Sequence, residues 1–89
     1  MRLRDLYVLS AVIESGSMTK AVEGLGVSQS AVSQMIADLE AALGVRLLDH
    51  NPRGAQATIY GDILLRHGRA AFDELRHGIR EIEFLATIF

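Results

Sequence analysis

The sequence predicts a mainly α fold in which three helices and a two-stranded β-hairpin precede one long helix, and three observations carry it. Apolar residues recur at spacings of three and four over three successive stretches, each closed by a glycine: Gly16, Gly26 and Gly44. The pattern then breaks into short apolar runs around Asn51, Pro52, Arg53 and Gly54, which read as a turn between two strands. Beyond Thr58 the spacing of three and four resumes and holds to Phe89. With 49% apolar residues among 89, the chain can build one small core.

Leu3, Leu6, Leu9 and Ile13 form the apolar stripe of a first, supporting helix that ends near Ser15 and Gly16. Ser17 is placed to cap a short second helix carrying Ala21, Val22 and Leu25 inward. Ser28 caps a third helix to about Leu43, with Val32, Met35, Ile36, Leu39 and Leu43 facing the core. Val45 to Leu48 and Ala57 to Ile59 are the strand candidates of the hairpin. Thr58 then starts the long helix, whose residues Leu65, Gly68, Phe72, Leu75, Ile79, Ile82, Ala86 and Phe89 alternate steps of three and four, a seam suited to a partner helix. The expected division is a unit over residues 1–58 and a linker helix over 59–89, paired with a second copy to make a homodimer. Folding of that helix back onto its own domain is the single-chain alternative.

Several function classes find no footing. The chain has no cysteine, which excludes disulfides and thiolate zinc sites and is in keeping with a reducing, cytoplasmic setting. Leu6 to Ile13 is too short to span a bilayer, and no targeting segment or membrane role is expected. No glycine-rich phosphate loop, nucleophile motif or metal-ligand spacing is present, so we expect neither an enzyme nor a cofactor nor a metal. His50, His67 and His77 are too scattered to propose a site. A net charge of −2 is the wrong sign for a protein that grips phosphates, yet no residue from Gly24 to Ala37 is charged, so any basic surface must be local.

The stretch from Ala21 to Met35 fits a helix-turn-helix: apolar at Ala21, glycine in the turn, then apolar Val27, Val32 and Met35. With Val32 and Leu39 inward, the third helix turns Ser30, Ser33, Gln34, Ala37 and Ala41 outward. A solvated helix face normally carries Lys and Glu, whereas a helix entering the major groove must lack acids and bulk. Gln29, Ser30, Ser33, Gln34 and Ala37 are therefore the expected base readers: the glutamines through paired donor and acceptor, the serines through hydroxyls, and Ala37 against a thymine methyl. Ser28, Ser17, Thr19 and Lys20 are expected at phosphates near helix N-termini, with Arg46 and His50 as lesser phosphate contacts. Arg53, at the hairpin tip, is placed for a neighbouring minor groove. The expected fold is thus a winged helix-turn-helix followed by a long linker helix; the alternative use is a protein-interaction module without DNA binding.

In order along residues 2 to about 75, the sequence resembles the amino-terminal DNA-binding domain of LysR-type bacterial transcription regulators. The resemblance is carried by Leu3, Leu6 and Leu9; by Gly16-Ser17-Met18-Thr19-Lys20-Ala21; and by Val27-Ser28-Gln29-Ser30-Ala31-Val32-Ser33. It continues through Leu39-Glu40, Leu43-Gly44-Val45-Arg46-Leu47-Leu48, Arg53-Gly54, and Thr58 with Gly61. It implies a transcription factor binding an inverted-repeat operator in duplex DNA, with linker helices paired antiparallel. It also implies a small-molecule effector bound by a larger C-terminal domain; the sequence stops near where that domain would be joined, so an excised segment is expected. Val22 stands where the family usually has alanine, and Ser30 where proline is common. His50 and Gln34 stand where arginine or another basic residue is frequent, which removes two expected positive charges.

Overall fold

The computed structural model describes residues 2–88. Three helices, α1 (Leu3–Ser15), α2 (Met18–Leu25) and α3 (Gln29–Leu43), are followed by strands β1 (Leu48–Asn51) and β2 (Gly54–Ala57) and by α4 (Ile59–Ile88). The strands pair antiparallel, from Leu48 opposite Ala57 to Asn51 opposite Gly54. The fold is therefore the winged helix-turn-helix with a long final helix that the periodicity predicts. At 30 residues α4 dominates a molecule measuring 53 × 26 × 20 Å.

One core holds the first five elements together: Val8, Leu9 and Val12 from α1, Ala21 from α2, Val32, Ile36 and Leu39 from α3, and Leu47, Leu48 and Ala55 from the wing. Local caps set where the helices begin. Ser17 Oγ accepts from the Lys20 amide at 3.4 Å, and Ser28 Oγ accepts from the Ala31 amide at 3.1 Å.

The wing is fixed to the helices by backbone hydrogen bonds as much as by its apolar face. The carboxylate of Glu40 accepts from the Leu47 amide at 2.7 Å and the Leu48 amide at 3.4 Å, so α3 steers the chain into β1. The Ala55 amide donates to Gly16 O at 3.0 Å, and a Cβ on Gly54, at φ 128°, would lie 2.2 Å from that same oxygen. Thr58 ties the far end: its amide donates to Leu47 O at 3.0 Å and its hydroxyl donates to Arg46 O at 2.6 Å. That hydroxyl also accepts from the Gly61 amide at 3.2 Å, capping α4. A Cβ at Gly61 would sit 2.2 Å from Leu47 O, so α4 can start this close to the wing only through glycine.

Four expectations are corrected. Leu3 is 53% exposed, and the buried face of α1 is Val8, Leu9 and Val12, because α2, α3 and β2 approach that side while Leu3 lies over the α4 side. Leu43 is also exposed, because it lines an open hollow with Val45, Leu47 and Tyr60 rather than entering the core. The strands are Leu48–Asn51 and Gly54–Ala57, shifted from Val45 to Leu48 and Ala57 to Ile59, because Glu40 and Thr58 hold the flanking residues in non-strand connections. In the long helix, Leu65 and Gly68 are buried within their own domain rather than left for a partner, and Phe72 is half-buried with its ring edge-on to Tyr7, centroids 6.1 Å apart. Of the rest of that seam, Leu75, Ile79, Ile82 and Ala86 are exposed, and Phe89 lies outside the described residues.

Candidate nucleic-acid interface

With Val32, Ile36 and Leu39 anchored in the core, α3 presents Gln29, Ser30, Ser33, Gln34 and Ala37 to solvent. All five are exposed and none is charged, an unusual composition for a free helix surface and one that lets the helix approach a phosphate-lined groove. Ser28 Oγ, besides capping, lies 3.2 Å from Ser30 Oγ, so the two hydroxyls are linked at the start of the helix. Gln34 is not free: its Nε2 donates to Asp38 Oδ1 at 2.8 Å, one turn along.

Three elements converge beside the first turn of α3. Ser17, Met18 and Thr19 at the start of α2, Gln29 at the start of α3, and His50, Asn51, Gly54 and Ala55 of the wing line a hollow of about 210 Å³. Its polar groups surround the positive ends of two helix dipoles, where a phosphate is favoured. Of the expected phosphate contacts, Ser17, Thr19 and His50 are thus gathered around Gln29. Lys20 is not; it lines a separate hollow with Tyr7, Glu14 and Gly24. Arg46, just before β1, turns toward that strand, its Nη2 donating to Leu48 O at 3.2 Å. Arg53 is exposed on the turn between the strands, its amide held by Asn51 Oδ1 at 2.9 Å.

Much of the negative charge lies away from this face. Asp62, Asp73, Glu74, Glu81 and Glu83 are on α4. Asp5 accepts from the Arg2 amide, Glu14 pairs with Arg69 at 2.7 Å, and Glu40 is committed to the wing. Three features escaped sequence reasoning: the Gln34 to Asp38 hydrogen bond, the Glu40 clasp and Asn51 as part of the hollow. The first was visible as a spacing of four; the other two join residues whose proximity only the folded wing creates.

A second surface runs along α4. Tyr60, Leu64, His67, Ala71, Leu75, Gly78 and Ile82 recur at three and four on a stripe roughly a quarter-turn round the helix from Leu65, Gly68 and Phe72. They line two apolar hollows in succession: about 450 Å³ with Leu43, Val45 and Leu47, and about 550 Å³ with Leu3 and Ile79. Among the described residues no helix is long and apolar enough to cross a membrane, and no cluster of His, Cys, Asp and Glu is arranged to hold a metal.

Residues 3–62 match the family described as bacterial regulatory helix-turn-helix protein, lysR family. An uncharacterized helix-turn-helix-type transcriptional regulator of Sinorhizobium fredii is 40% identical over 80 residues, covering 90% of this chain and 27% of that protein. The structure of the CbnR DNA-binding domain in a DNA complex superimposes with a TM-score of 0.84 at 35% identity, over 96% of this chain and 99% of that one. That of the BenM DNA-binding domain with catB site 1 DNA gives 0.90 at 29% identity, over 97% of each. The chain spans 25–29% of the length of the curated relatives it matches. Over the winged helix-turn-helix and into its long helix, the chain belongs to the lysR family of bacterial regulatory helix-turn-helix proteins.

Proposed function

We propose that this chain is the sequence-specific DNA-binding unit of a dimeric bacterial transcription regulator, working in the cytoplasm and by binding rather than catalysis. The observation that carries the reading is the exposed, uncharged set of Gln29, Ser30, Ser33, Gln34 and Ala37 on α3, standing beside a hollow built from the starts of two helices and the wing. Gln29, Ser30, Ser33, Gln34 and Ala37 read base edges in the major groove. Ser28 and the hollow formed by Ser17, Thr19 and His50 take phosphates, fixing the register of α3 without reading sequence. Arg53 enters the adjoining minor groove from the turn of the wing. Lys20 and Arg46 add positive charge at the margins. The CbnR and BenM domains whose structures this chain matches are in complexes with DNA, which supports the same use here.

The second copy docks along α4. Leu64 in the apolar stripe from Tyr60 to Ile82 packs partly on the core of its own domain, but Tyr60, Leu75 and Ile82 stay exposed in the single chain, and Ala71 and Gly78 let two helices approach closely. Pairing it in a two-fold arrangement presents two α3 helices to the halves of an inverted repeat. The seam is thus rotated from the one predicted: Leu65, Gly68 and Phe72 anchor α4 to its own domain, while Leu75 and Ile82 serve the partner.

Titration of duplex DNA at increasing salt tests the reading. The affinity is expected to fall steeply with salt, and Gln29→Ala and Arg53→Ala each to weaken it about tenfold. No binding of duplex DNA at low salt would refute it.

A further inference from the structure

We infer that Asp38 is a specificity-determining residue, which holds the Gln34 amide in one orientation and so makes position 34 a reader of adenine in preference to guanine. The inference rests on the DNA-binding reading above and adds to it a residue that need not touch a base.

The two ends of a glutamine amide differ only in being donor or acceptor, and a solvated glutamine turns either way. Gln34 has a neighbour that removes the choice. A carboxylate only accepts, so the edge of the amide facing Asp38 must be the NH₂ group; Nε2 donates to Asp38 Oδ1 at 2.8 Å. Both residues are exposed on α3, one turn apart, and no other partner competes for either side chain among the described residues. One hydrogen of Nε2 is therefore committed, and Gln34 keeps one N–H and the carbonyl Oε1 for the groove.

That remaining pair has a defined complement. Adenine offers the N6 donor and the N7 acceptor, matching Oε1 and the free N–H. Guanine offers only acceptors there, N7 and O6, and leaves Oε1 facing an oxygen. For the amide to flip toward guanine, Oε1 would have to turn onto the Asp38 carboxylate, acceptor against acceptor with a full charge on one side. Exclusion of water at a groove contact strengthens both the favourable and the unfavourable arrangement. Asp38 also opposes binding as a whole: its charge lies near the phosphates and weakens affinity for every sequence alike.

Selection from random duplexes by the 89-residue chain, Gln34→Ala and Asp38→Asn separates these roles. Asn is isosteric with Asp but can donate as well as accept, so the Gln34 amide regains both orientations. The unaltered chain should select adenine over guanine by about tenfold at one position in each half-site. Gln34→Ala should erase that preference, and Asp38→Asn should cut the ratio at the same position at least about threefold while other positions hold and overall affinity rises. A consensus that Asp38→Asn leaves unchanged, or one with guanine opposite Gln34, overturns the role of Asp38 and leaves DNA reading intact. Failure of the unaltered chain to select any consensus overturns both.

Discussion

The two longest helices of this molecule solve opposite problems. α3 has every turn up to Leu39 anchored through Val32, Ile36 and Leu39, and its outer face is left polar and small. α4 is anchored only through its first half, by Gly61, Leu65, Gly68 and the Phe72 to Tyr7 contact, and its outer face is left apolar. Rigid placement of a polar face suits reading a groove, whereas an uncovered apolar stripe on a projecting helix suits a second helix. The apolar surface that α3 buries at home is, on α4, left partly exposed, and in the proposed dimer a second chain covers it.

Substitutions should break these two helices in different ways. Replacing Leu75 and Ile82 together by Glu places charge in the open apolar hollow of α4. It should raise the dimer dissociation constant at least about a hundredfold, equivalent to about 3 kcal/mol, while the globule stays folded; sedimentation equilibrium with circular dichroism reads both. Leu9→Ala, at 1% exposure in the core beneath α3, should instead cost about 3 kcal/mol of stability in urea denaturation, and should weaken DNA binding only as far as the domain unfolds.

Smaller effects sharpen the contrast. Ser28→Ala removes the cap at the start of α3, and should cost about 1 kcal/mol in denaturation and, on the proposed reading, also weaken DNA binding. Thr58→Ala removes hydrogen bonds at the start of α4 and should cost a similar amount, about 1 kcal/mol, without changing base preference. Glu14→Gln removes an ion pair with Arg69 whose side chains are 52% and 57% exposed, and should change stability by no more than about 0.5 kcal/mol.

What the sequence disclosed follows the reach of each signal. Ser17, Ser28 and Gly44 mark helix ends through hydrogen bonds three or four residues long, and these ends fall where predicted. The face of α1 does not: its stripe turned from Leu3 toward Val8 and Val12 because the return of α2, α3 and the wing decides which side is covered. For the same reason the seam of α4 divides at Phe72, where packing against Tyr7 gives way to solvent. Of the expected DNA-facing residues, Ser17, Thr19, Gln29 and His50 converge on one hollow, while Lys20 faces a different one, a difference set by the path of α2 across α1. The Glu40 clasp on Leu47 and Leu48 spans seven and eight residues and has no periodic signature.

The central claim, that two copies of α3 enter the major groove on one face of a duplex, is tested most directly by hydroxyl-radical footprinting of a selected operator. The account predicts two protected patches related by a two-fold axis, separated by one helical turn of about 10 base pairs or a multiple of it, both needing about tenfold more protein to form with Gln29→Ala. A single asymmetric patch, or uniform protection unaffected by Gln29→Ala, would contradict it.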